Sequence, residues 1–551
     1  LVGLCAAGPI VAATLRALLD GWRPAGDQAI IATRAFDVFT SRTPLVGQYS
    51  DSSSVTHHPV KSLGPMLYWL LALPARLGSP GTLTLTIGLV NVLATIGVVM
   101  LARRRGGLAL MFATALALVL VCRSLAPEVL HDVWNPSAAL LPFTLLIFLC
   151  WSVACGEYRL LPITALVASF VVQCQLTYLL PSVGLLAIAA AGLLVSRTAW
   201  RTDLQTPPGA GRGRARWWAL AALLLALACW TPPIVDQLTE RPGNLTAVVR
   251  TATASQHTLG ASVGWRAVVR TIGVPPWWLT DPSSPWERKN EVRSAAGALA
   301  TVSCVLMLLA LFAVAVLGLL RRRVAECSGA LIALTLCAGL AAIAYATPAT
   351  HLLAGTLAYT LWWGSPAGMF VWLLLGWSLG RPLAQRVAPP RRPPVLAPAI
   401  GVVVVAIVAA AVAFSQRPDY HLREYRPLQT IYAALDRAIP AGRTVRLLGA
   451  LGNTTFRFKM AARFALRRRD IRPLSPGTDV RLGTWYELRK RAYDCTVYVA
   501  DGSTRPQDRA ALLARVVFND GAHEHPVTAW VSPAGCPRGR PSISPPAAAA
   551  H

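Results

Sequence analysis

The chain has 551 residues, of which 54% are hydrophobic and only 14% charged, and its formal net charge is +27. Apolar runs approaching the ~20 residues that cross a bilayer core recur along it, and in lipid such runs must be helices, because each backbone amide has to bond within its own segment. The charge does not mark a nucleic-acid binder: no such module is recognisable, and much of the basic excess, all Arg except Lys61, Lys289, Lys459 and Lys490, lies in short loops between the apolar runs, as the positive-inside rule expects of a polytopic membrane protein.

In chain order the runs predict about eleven transmembrane helices, at 3–19, 81–101, 107–125, 137–155, 159–174, 177–195, 217–231, 297–320, 328–346, 364–380 and 397–414. With that count the Arg groups at 103–105, 159, 197–216, 321–323 and 381–392 all fall on one side, which is therefore cytoplasmic. The opposite side receives the loops 20–80, 126–136, 232–296 and 347–363, and everything after 415. Residues 63–78, LGPMLYWLLALPARLG, break the alternation if they span; they read as a helix lying in the outer interface, with Tyr68 and Trp69 in belt positions.

The transmembrane domain thus covers 1–414, and 415–536 predicts a small extracytoplasmic α/β domain. Residues 428–439 and 453–469 have the character of helices, and 445–451 and 495–501 read as strands. The Pro- and Ala-rich tail 537–551 reads as disordered, and 206–216 and 387–394 as flexible cytoplasmic loops. Most of the eleven Cys lie in apolar runs, where Cys acts as a small hydrophobe. Cys495 and Cys536 lie in the polar region and can pair if it faces outward.

Ionisable groups concentrate in 20–68, which carries Asp20, Asp27, Asp37, Asp51, His57, His58 and Lys61 between two apolar segments. Pro24-Ala-Gly-Asp27 reads as a turn into a helix, QAIIATRAFDVFT, with Asp27 near the N-cap. Free amides and the helix dipole favour a negative charge there, which suits a base or a metal ligand better than an acid. A plain helix cap satisfies the same pattern. Arg34 follows two turns later, placed to hold a phosphate or to neutralise Asp27 or Asp37.

Gly26-Asp27-Gln28-Ala29, Arg34-Ala35, Pro44-Leu45-Val46-Gly47 and His58-Pro59 followed by Gly64-Pro65 together resemble the GT-C membrane glycosyltransferases. That superfamily includes the protein O-mannosyltransferases, the aminoarabinose transferases of lipid A and many actinobacterial relatives. The resemblance covers roughly residues 1–300 in layout, with a large first outer loop, interfacial helices and a long later outer loop, and about 50 residues in motif. It implies an enzyme of the plasma membrane that moves a hexosyl or pentosyl group from a polyprenyl-phosphate donor to a glycan, lipid or protein acceptor on the outer face. Asp27 would be the general base, taking the acceptor proton as its oxygen attacks C1. Many members carry Asp-Glu where this chain has Asp27-Gln28, so a paired-carboxylate metal site loses a ligand here. No cofactor is required by the reading, although a divalent cation at His57, His58, Asp51 or Asp132 stays open.

Other outer segments supply further candidates. In LAPEVLHDVWNP the resemblance points to Asp132 as a second acidic contact; the plain alternative is a solvated loop anchored by Trp134. Lys61, His58, Arg266 and Arg270 are placed for substrate, the cations for a leaving phosphate. Gln173, Gln175 and Tyr178 are polar at membrane depth, where such groups line a cavity or bond between helices. Two other functions fit a polytopic chain. A transporter or flippase of lipid-linked sugars would show inverted repeats, which are not visible here, and a non-catalytic membrane scaffold would account for Gln28.

Overall fold

The computed structural model describes residues 1–196, 212–280, 288–387, 396–449, 452–476, 479–489, 491–502, 506, 510–519, 523–533 and 536. The loop residues 206–211, the stretch 388–394 and the tail from 537 lie outside the described residues. All eleven apolar segments are helical. Among the described residues seven helices are long and apolar enough to cross a membrane: Gly81–Arg123, Asn135–Ala154, Leu176–Val195, Ala215–Thr239, Ala298–Leu320, Val324–Ala346 and Ala397–Ser415. Seven differs from eleven for local reasons. Gly81–Arg123 holds two of the expected segments, joined across non-helical backbone at Gly106 and Gly107, where Gly107 takes φ +67°. The first segment is two short helices, Val2–Ala6 and Gly8–Leu19, Leu161–Cys174 is also short, and the segment 364–380 lies in the helix Gly364–Val387, which is not among the seven.

The chain forms two compact units. The first is built from 1–14, 45–66 and 87–418. Its centre is Asn135–Ala154, a helix apolar on all sides and buried almost throughout, as an all-round hydrophobic helix must be. It packs on Leu161–Cys174, Leu179–Val195 and Val324–Ala346. The Trp151 indole donates to Ala325 O at 2.9 Å, and edge-to-face contacts link Trp151 with Phe148, Phe370 and Trp377. At the end carrying the first Arg group, Arg104 pairs with Glu157 at 3.1 Å, and Arg105 pairs with the same carboxylate.

The second unit comprises 15–44, 67–86 and 419–551. It contains a five-stranded sheet, β1 Thr444–Gly449, β2 Arg472–Leu474, β3 Cys495–Asp501, β4 Ala511–Asn519 and β5 Glu524–Ser532, in the order β2-β1-β3-β5-β4. The first three strands are parallel, and β5 runs antiparallel to both β3 and β4. Helix Leu422–Ala438 buries one face, and Asn453–Arg468 is buried on all sides from Met460 to Arg467. β1, β3 and both helices lie where the sequence pattern puts them; β2 and the β4–β5 hairpin are additional. Cys495 and Cys536 form a disulfide. The segment expected at the interface is the helix Met66–Arg76, with Pro74 near its end.

Candidate active site

Asp27 and Arg34 belong to the second unit, on the helix Gly26–Phe36. The N-cap is Ala25, so Asp27 is the second helical residue, two positions past the cap and in the first turn. Ala25 has no side-chain oxygen to satisfy the first amides. Gln28 supplies part of the substitute: its Oε1 accepts from Ala25 N at 3.2 Å, the returning arm of a capping box. The Asp27 carboxylate is half-buried in the first turn, where a negative charge is favoured.

The helix stops at Phe36, short of the expected span, with Asp37 as its C-cap. Asp37 is fully buried. It accepts from Arg34 at 3.3 Å, from Arg467 at 3.4 Å and from the Tyr486 hydroxyl at 2.9 and 3.1 Å. Burial, and then the Asp37 carboxylate, push the Tyr486 phenol up, so it stays protonated as the donor. Arg34 also donates to Leu482 O at 3.2 Å. Of the roles open to Arg34, the structure displays neutralisation of Asp37.

The remaining candidates lie in the first unit, where the outer loops meet one another. Residues 47–50 and 60–62 form a short ladder, with Ser62 N donating to Gln48 O and Ser50 N to Val60 O. His57, in left-handed backbone, and His58 are exposed at its tip. Lys61 follows, its backbone clamped by Asn244: Lys61 N donates to Asn244 Oδ1 at 2.9 Å, and Asn244 Nδ2 to Lys61 O at 3.0 Å. Asn244 N is held in turn by Asp236 Oδ2 at 2.9 Å.

The motif glycines Gly47 and Gly64 permit this ladder to lie against the Gln173 turn. A Cβ on Gly64 would collide with the Gln173 side chain, and one on Gly47 would lie 2.7 Å from Gly64 O. The same turn carries Gln175, whose Oε1 accepts from Asn135 at 2.7 Å. Tyr178 donates to Pro136 O at 3.4 Å. Asp132, three residues before Asn135, is buried, and its Oδ1 accepts from Trp134 N at 3.2 Å. Trp134 packs edge-on against Tyr359 and Trp362 of the loop 347–363. The structure thus brings Asp132, Gln175 and Tyr178 near one joint and ties Lys61 to the long loop. Arg266 and Arg270 sit elsewhere on that loop, donating to Arg293 O at 2.7 Å and to Ala295 O at 3.1 Å. Among the described residues no three His, Cys, Asp or Glu side chains gather as a metal-ligand set.

No family model matches the chain, and no curated protein matches it. Among solved structures the chain is similar to ArnT from Cupriavidus metallidurans. The form bound to undecaprenyl phosphate is 14% identical, with 94% of this chain and 97% of that chain covered and a TM-score of 0.48. The apo form has the same identity and coverage and a TM-score of 0.49. It is also similar to the archaeal oligosaccharyltransferase AglB from Archaeoglobus fulgidus, in complex with an inhibitory peptide and a dolichol-phosphate, at 14% identity over 89% of this chain and 69% of that chain, with a TM-score of 0.32.

Three elements of the site have no clear signal in the sequence. Asn244 looks like a glycosylation acceptor, yet its side chain is the clamp on Lys61. Gln28 looks like a lost carboxylate, yet it caps a helix. Arg288 is buried, donating to Leu361 O, Trp362 O, Ser124 O and Ser365 Oγ, with the Trp277 ring 5.0 Å away. Burial pushes its pKa down to about 10 against the opposing pull of Glu291. It joins the long loop to the ends of two helices, and only its charge shows in the sequence.

Proposed function

We propose that this chain is a membrane glycosyltransferase that passes a sugar from a polyprenyl-phosphate donor to a glycan, lipid or protein acceptor at the outer face of the plasma membrane. The observation that carries the reading is Asp27: a carboxylate in the first turn of a helix whose sequence bears the GT-C resemblance and whose far end is fixed through Asp37. Asp27 takes the proton from the acceptor hydroxyl as its oxygen bonds to C1 of the sugar, and the C1–O bond to the phosphate breaks. Gln28 is committed to the cap, which supports Asp27 as a lone base.

Asp132 orients the acceptor. Lys61, its backbone fixed on both sides by Asn244, offers a cation to the leaving phosphate. His58, Gln175, Tyr178, Arg34, Arg266 and Arg270 are substrate contacts in this reading, the arginines as candidate partners of a phosphate. The Cys495–Cys536 disulfide supports an extracytoplasmic C-terminal region, since disulfides persist in oxidising compartments.

Asp27→Asn keeps the shape and removes the base. In a membrane assay of sugar transfer it is expected to lower the rate by about 10²–10⁴-fold with unchanged expression. Wild-type activity in that variant contradicts the assignment.

A further inference from the structure

The second unit gathers more positive charge than the candidate reaction uses. Around the half-buried Trp485 ring lie three guanidinium carbons, those of Arg42, Arg472 and Arg467, at 3.6, 4.3 and 5.3 Å from its centroid. Arg491 donates to Trp485 O at 3.0 Å. The buried carboxylate beside this group is Asp37, already engaged by Arg34, Arg467 and Tyr486. Asp470 pairs with Arg467 at 3.7 Å but is 93% exposed, so water screens it.

Arg42 and Arg472 form no ion pair among the described residues. Arg42 Nη1 and Arg472 Nε are buried donors with no acceptor, a costly state for a charged group. Burial and then Arg467 weaken Arg42's hold on its proton, against the smaller opposing pull of Asp37, Tyr486 and Asp470; burial and then Arg491, Arg42 and Arg467 do the same to Arg472. Packing like charges this closely opposes folding unless an anion joins them.

We infer that the Arg42–Arg472–Trp485 cluster is a binding site for a phosphate dianion, either free or as the monoester head of a lipid. The guanidinium carbons of Arg42 and Arg472 lie within cation–π range of the indole, and both side chains stay partly exposed, so they are within reach of a ligand. Guanidinium forks match phosphate oxygens pairwise. A dianion offsets both unpaired cations, whereas a carboxylate offsets one. The inference does not rest on the transferase reading, because none of these groups takes part in the proposed proton transfer.

The test uses the full chain in phosphatidylcholine nanodiscs titrated with radiolabelled orthophosphate. Saturable binding is expected, weakened about tenfold or more by Arg42→Gln with Arg472→Gln. It should persist in Arg489→Gln, which removes an exposed arginine paired with Glu487. Should the double variant misfold, Arg42→Lys keeps the charge, removes the fork and is expected to weaken binding in the same direction. Nanodiscs containing phosphatidic acid separate the sources: suppressed orthophosphate binding means a lipid headgroup fills the site, and unchanged binding means free phosphate does. Absence of saturable binding at matched ionic strength overturns the inference. So does binding undiminished in a folded double variant or in Arg42→Lys.

Discussion

Asp37 collects hydrogen bonds from Arg34 on its own helix and from Arg467 and Tyr486, which follow 430 and 449 residues later in the chain. Removing it strands two buried donors, and breaking a buried pair typically costs about 3–5 kcal/mol. Asp37→Ala is therefore expected to raise hydrogen exchange along Asn453–Arg468 by a corresponding factor, with much of the loss recovered if Arg467 is replaced by Met in the same chain. Glu424 makes a second prediction at this scale. It is buried and clasped by Arg457 through contacts of 2.8–3.0 Å and by His421 at 3.0 Å. Burial opposes its charge, but Arg457 and His421 outweigh burial and hold the carboxyl at about 2. The unfolded pKa is about 4.3, so the contribution, about 3 kcal/mol, is full above that pH and is lost as pH falls through 2. Thermal unfolding of the full chain should show the midpoint falling across that window in wild type and a flatter acid limb in Glu424→Gln. Of these contacts only Arg34 with Asp37 is legible in the sequence; Glu424 is unremarked there, and Arg467, Tyr486 and Arg457 are selected by the tertiary fold.

At the scale of elements, the legible features are those with a local cause. Apolar runs locate the membrane helices because lipid leaves no other outlet for backbone amides. The helix Gly26–Phe36 is legible from its turn and periodicity, but its cap is not, because Ala25 carries no capping side chain and Gln28 does part of that work from inside the helix. β1 and β3 read as apolar runs, whereas β5 contains Pro526 three residues into the strand, a residue that argues against a strand in sequence. Gly47 and Gly64 were legible as motif positions, and the structure gives the reason they are glycine: each meets backbone or side chain where a Cβ would stand. Gly64→Ala is accordingly expected to cost about 1–3 kcal/mol, read as a lower thermal midpoint of the first unit. Tolerance of Ala at that position would show that the ladder does not need so close an approach to Gln173.

At the scale of the molecule, the chain is a polytopic helical membrane protein with a five-stranded C-terminal sheet. The segments 45–66, 126–136, 232–296 and 347–363, which the Arg distribution sends outward, contact one another: Asn244 with Lys61, Leu259 N with Thr347 O at 2.9 Å, and Trp134 with Tyr359. That mutual contact joins the four segments within the first unit. Donor cleavage tests the central claim most directly. The purified chain in liposomes, given polyprenyl phosphate carrying a radiolabelled sugar, is expected to move label from the lipid to acceptor or water, and the Asp27→Asn chain is not. Label that crosses the bilayer still attached to its lipid, or that is released equally by both chains, would contradict the account.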